Sequence, residues 1–157
     1  MSGIIGAFAQ KNAPSFGASG PGGVIKEHNW LPDGGGRQTT AISLITANEN
    51  PFITTQLPMM DDEMALVHVE IQGRSDDDVQ RCVYVLEGLF YRNGVGDTTQ
   101  QGATNVITSI ETSAGLDGVL AINTTPQEVQ VKVTGLAATS IRWKVFATVT
   151  KVKQPMP

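Results

Sequence analysis

Ala65-Leu66-Val67-His68-Val69-Glu70-Ile71-Gln72 alternates without a break: Val67, Val69 and Ile71 fall on one side, His68, Glu70 and Gln72 on the other. Strict alternation puts successive side chains on opposite faces of a pleated strand, and three β-branched residues on one face mark that face as buried. The same pattern recurs downstream. Gln127–Thr134 carries Val129, Val131 and Val133 in alternation, and Ser140–Val152 carries Ile141, Trp143, Val145, Ala147 and Val149. Arg81–Arg92 differs, with Cys82, Tyr84, Leu86 and Phe90 on one face and Val83, Val85 and Leu89 on the other. A strand apolar on both faces is either central or covered by a neighbouring subunit. Gly88 within it predicts a bulge or a close backbone approach.

Shorter runs at Ala41–Thr46, Phe52–Gln56, Thr104–Thr112 and Val119–Asn123 complete the set, and Arg92-Asn93-Gly94, Ser113–Gly118 and Gly135–Thr139 are turn signals. About eight short strands, with turns about every 8–12 residues, predict an all-β antiparallel β-sandwich or jelly roll. No segment predicts a helix, although Asp61–Leu66 has the length of one turn.

The N-terminus is different in kind. Residues 1–36 hold nine of the seventeen glycines together with Pro14, Pro21 and Pro32. Such chain loses much entropy on ordering and has little to bury, so it builds no core of its own. It reads as an extended Gly/Pro-rich N-terminal arm closing on the turn cluster Pro32–Gly36, so that residues 1–40 form the arm and 41–157 the sandwich domain. Ile4, Ile5, Phe8, Phe16 and Trp30 are apolar residues carried on this string. Leaving them in water is costly, so they are candidate anchors on a partner, and Val83, Val85 and Leu89 are a candidate subunit interface.

Composition narrows the functional classes. The 157 residues suit one domain, the net charge is −4, and the eleven Lys and Arg are scattered, which argues against nucleic-acid binding. No apolar run reaches the length of a membrane span, and the glycine-broken N-terminus MSGIIGAFAQK lacks the basic start of a signal peptide. Cys82 is the only cysteine, so no intrachain disulfide forms, and its strand position predicts a small core residue. No catalytic constellation emerges. His68 shares a strand face with Glu70, a pair able to bind a metal or move a proton, but equally a solvated or interfacial face. His28 beside Glu27 reads as a contact residue. The acidic triplets Asp61-Asp62-Glu63 and Asp76-Asp77-Asp78 lack the D-x-D-x-D-G spacing of a calcium loop, and the glycine runs lack G-K-[ST] and a following helix. The expectation is no catalytic residue, no metal and no cofactor.

The stretch Val129-Gln130-Val131-Lys132-Val133-Thr134-Gly135, followed by Leu136–Ser140 and then Ile141-Arg142-Trp143-Lys144-Val145, resembles the C-terminal hairpin of small β-sandwich modules in tailed-bacteriophage virion proteins. There a V-x-V-x-G strand, a small-residue turn and an (I/V)-(R/K)-W-x-(A/V) strand follow one another. The resemblance covers about the last third of the chain and implies a sandwich that oligomerises, often as a homotrimer, in a virion. Such modules serve as head decoration (cement) proteins, head fibres and tail-fibre tips. The chain has no repetitive or heptad shaft, which favours decoration of a capsid, with the major capsid protein as partner. The alternative is a tail-fibre or head-fibre module that binds a receptor glycan. That alternative calls for aromatics in loops, and Asn93–Ala103 has none. A small lyase or esterase is the third expectation, weakened by two histidines and no clustered catalytic residues.

Overall fold

The computed structural model describes residues 24–33 and 37–153, with side chains from Thr39 onward. Its described strands number nine: β1 (Val24–Asp33), β2 (Arg37–Thr46), β3 (Pro51–Pro58), β4 (Glu63–Ser75), β5 (Arg81–Arg92), β6 (Thr99–Glu111), β7 (Asp117–Thr124), β8 (Gln127–Thr134) and β9 (Ile141–Lys153). They form two antiparallel sheets, a large one ordered β1-β2-β9-β4-β5-β6 and a small one ordered β3-β8-β7. The all-β, two-sheet expectation holds. The strands are longer than expected, three of them reaching 13 residues.

Alternation decides which side of each strand faces the other sheet. Along β4, Ala65, Val67, Val69 and Ile71 are buried, and along β9 Ile141, Trp143, Val145, Ala147 and Val149 are buried, as the sequence predicts. From the small sheet, Phe52, Leu57, Leu120, Val129, Val131 and Val133 meet them in one core. Trp143 is its largest buried side chain. Its Nε1 donates to Thr46 Oγ1 at 2.8 Å, and its ring lies where a β-carbon on Gly73 would come within 2.7 Å. Gly73 therefore exists to let the indole pass under β4. Gly88 does the same for Phe90, whose ring lies 2.6 Å from the place of a missing β-carbon, and the β5–β6 register shifts beside it.

Cys82 is buried against Gly73 and Trp143, the core role its sequence context predicts. Burial pushes its thiol up to about 11 from an ordinary 9.0. Keeping the thiol neutral stabilises the fold fully below pH 9.0, and that contribution is lost as pH rises towards 11. At neutral pH, alkylation of Cys82 by iodoacetamide should be slow and should track global unfolding in a urea series. Rapid alkylation of the native protein would contradict this placement.

Two segments differ from expectation. The sequence places Val24–Asp33 in the arm; its backbone is the edge strand β1, paired residue by residue with β2 from Val24↔Ile45 to Asp33↔Arg37. Trp30 lies there opposite Thr40. Residues 37–40, also placed in the arm, open β2, and residues 1–23, Ile4, Ile5, Phe8 and Phe16 among them, lie outside the described residues. The second difference is the stretch Asn93–Ala103, expected as a loop. β6 already begins at Thr99, and the true connection is the turn between Arg92 and Thr98. Asp61 and Asp62 form a turn, not a helix, and β4 starts at Glu63.

Candidate interaction surfaces

Three strands cannot cover six. The small sheet leaves the outer face of the large sheet open, and its flank leaves β6 uncovered on both sides. No residue of β6 is buried, and Val106, Ile107 and Ile110 are 55, 50 and 66% exposed. Apolar side chains at that exposure cost free energy unless another surface takes them up.

The outer face is built by register. Leu66 stands opposite Leu89, Gln72 opposite Val83, and Glu70 opposite both Val85 and Phe146. Val83 in turn stands opposite Ile110. The three residues singled out on β5 thus share one face, half-buried, and the structure surrounds them with exposed Leu66, Phe146 and Ile110. The sequence did not flag Leu66 or Phe146, since each stands on a mainly polar face, beside Met64 on β4 and Val152 on β9.

His68 sits in the middle of this face. Its Nδ1 lies 3.0 Å from Glu87 Oε1, and its Nε2 lies 3.5 Å from Glu70 Oε1. The His68–Glu70 pair is there as the alternation implies, and β5 adds the second carboxylate because Glu87 is the register partner of His68. Among the described residues, no group of three or more His, Cys, Asp or Glu is arranged to hold a metal ion.

The acidic triplets are occupied by cations and backbone donors. Asp78 Oδ1 receives Arg74 Nε at 2.8 Å and Arg81 Nη2 at 2.7 Å, and these two guanidinium groups, Arg81 first, hold its carboxyl below the ordinary range. Asp77 accepts from the Ser75 hydroxyl and the Val79 N–H, which lower it likewise. Asp76 takes Arg142. At the other end of β4, Asp61 pairs with Arg92, Asp62 accepts the Gly94 N–H, and Glu63 pairs with Lys151 at 2.9 Å. These contacts tie loops to strands, and being exposed, the Asp76 and Asp78 pairs contribute little to stability.

A third feature is the cleft between β6 and β7. It is a hollow of about 400 Å³, lined by Tyr84, Leu86, Val106, Glu111, Asp117 and Leu120. Tyr84 is buried and donates its hydroxyl to Glu111. Burial first, then that hydrogen bond, push the phenol well above its ordinary value, so it stays protonated at any working pH. Held in that state and already committed to Glu111, Tyr84 is a wall of the cleft.

On the far side, the outer face of the small sheet carries a buried carboxylate that the sequence gave no sign of. Glu128 Oε1 accepts from Gln56 Nε2 at 2.8 Å, Asn123 Nδ2 at 3.2 Å and Gln130 Nε2 at 2.6 Å. The donors come from β3, β7 and β8, so one oxygen ties all three strands together.

No protein-family model matches this chain, and no curated protein matches it. Among solved structures, the tailspike protein of Acinetobacter baumannii phage AM24 is similar over 76% of this chain, with 10% sequence identity and a TM-score of 0.44. The chain spans about a quarter of that tailspike, 27% of its length. A likeness at that level carries no argument about what this protein does, so the surfaces described above have to carry it.

Proposed function

We propose that the chain is a non-enzymatic virion structural protein, a capsid decoration or cement protein that oligomerises as a homotrimer on the capsid exterior. One observation supports this most directly: the small sheet covers only the inner face of the large one and leaves apolar side chains open on the outer face at β5 and on both faces at β6 for another chain to cover. Val83, Val85 and Leu89, with Leu66, Phe146 and Ile110 around them, form the face that would meet a second copy. Ile4, Ile5, Phe8 and Phe16, and Trp30 in β1, would anchor the N-terminal segment on the major capsid protein and on neighbouring copies. The action is mechanical. Extended segments bury much surface per residue and can pair with sheet edges, so each copy ties adjacent capsomers together. Whatever binds the assembled state alone stabilises it by mass action.

The test is co-sedimentation with undecorated capsids. Because β1 belongs to the sheet, the informative truncation removes residues 1–23 and leaves β1 in place. The full-length protein should bind saturably. The truncated protein should keep its unfolding midpoint and lose at least about ten-fold in affinity, about 1.4 kcal/mol. Failure of the full-length protein to bind would turn attention to the glycan-binding alternative and to a glycan screen.

A further inference from the structure

The free edge of β6 lacks the usual defences of an unpaired strand. β6 is TQQGATNVITSIE: it has no proline and no lysine, and its one charge is the terminal Glu111. Natural edge strands are kept from pairing by such residues, by bulges or by a covering element. Here the two register shifts against β5 are the one device present, and the end that leads to Glu111 pairs regularly, Val83↔Ile110 and Cys82↔Glu111. Among uncharged Thr, Ser, Gln and Asn, large apolar side chains stand on both faces of this edge. Val106 stands opposite the inward-facing Leu86 and lines the cleft towards β7, whereas Ile110 stands opposite Val83 on the outer face. A strand added to this edge would have to be apolar on both faces and uncharged.

The chain contains one such segment outside the described strands. Gly3-Ile4-Ile5-Gly6-Ala7-Phe8-Ala9 has Ile4 and Phe8 on one side of an extended chain and Ile5 and Ala7 on the other, with no charge before Lys11. Fourteen residues, Gln10 to Gly23, separate it from β1. Fully extended they span about 46 Å, at about 3.3 Å per residue. β1 and β6 are opposite edges of one sheet, five strand spacings or about 24 Å apart. Copies set edge to edge place the β1 of one beside the β6 of the next, so the segment reaches the neighbour without crossing a sheet face. Head-to-tail contacts of this kind close into rings when the rotation allows.

We infer that Gly3–Ala9 of one copy adds as an antiparallel strand to the β6 edge of a second copy and fills the mouth of the β6–β7 cleft. This rests on the oligomer reading above and names the receiving surface.

The experiment mixes two full-length single-cysteine variants under mild oxidation, A7C in one chain and S109C in the other. The native Cys82 is buried and stays out of the exchange. An A7C–S109C heterodimer should form at a yield about ten-fold above that of A7C mixed with E49C, a control on an exposed loop. Adding I107K to the S109C chain should abolish the excess, because a lysine on the edge opposes pairing. Equal yields with S109C and E49C would overturn the inference, as would a link confined within one A7C/S109C double-variant chain. Capsid co-sedimentation of the same samples separates the two claims. Capsid binding without the selective link removes this inference and leaves the proposed function, whereas the link without capsid binding does the reverse.

Discussion

Trp143→Ala should destabilise the protein by about 3–5 kcal/mol, read as a fall in the urea midpoint at unchanged slope. The indole is 2% exposed and lies under β4 where Gly73 makes room for it, so truncation leaves a cavity bounded by rigid backbone on one side. It also removes the donor to Thr46 Oγ1, itself buried. Small domains hold about 5–15 kcal/mol in total, so the loss is a large fraction of the whole. Trp143→Phe separates the two contributions. It keeps most of the volume and loses the hydrogen bond, and should cost about 1–2 kcal/mol. A loss under about 1 kcal/mol for the alanine variant would mean that Trp143 is not packed in the core.

Glu128→Leu should cost about 2–4 kcal/mol. Leucine would leave Gln130, which is 4% exposed, without its acceptor, and would release Gln56 and Asn123 from the same oxygen. The loss is tempered because the substitution also removes the cost of burying a carboxylate. Glu128→Gln keeps an acceptor oxygen and should cost about half as much. The combination of Glu128→Leu with Gln130→Leu should fall short of the sum of the single effects, since both act on one hydrogen bond. Strict additivity in chemical denaturation would refute the shared-acceptor arrangement.

What the sequence revealed depended on whether a strand had one buried face. β4, β8 and β9 alternate in sequence because one side of each meets the opposite sheet, so their inward sets could be named in advance, although β8 is buried on its other side too, at Glu128 and Gln130. β5 announced itself by carrying apolar residues on both sides, and the outward set Val83, Val85 and Leu89 is indeed half-buried on the open face. β6 has no buried face, so no period of two exists to be read, and its first five residues looked like loop. β1 was hidden differently: its glycine-rich surroundings speak for an arm, and it is placed by backbone pairing with β2. The Glu128 cluster and the His68–Glu87 contact were out of reach for a third reason. Each joins residues brought together by strand register, and register is a property of pairs of strands.

The position of β9 carries a consequence for how the molecule comes to exist. β9 follows every other described strand in sequence, yet it lies between β2 and β4, pairing with both along its length. During synthesis the earlier strands emerge first and have no way to join: β1–β2 on one side and β4–β5–β6 on the other are separate hairpins until the strand between them leaves the ribosome. The large sheet therefore closes late, and a message cut short before Ile141 should yield a chain with two open sheet halves and a strong tendency to aggregate.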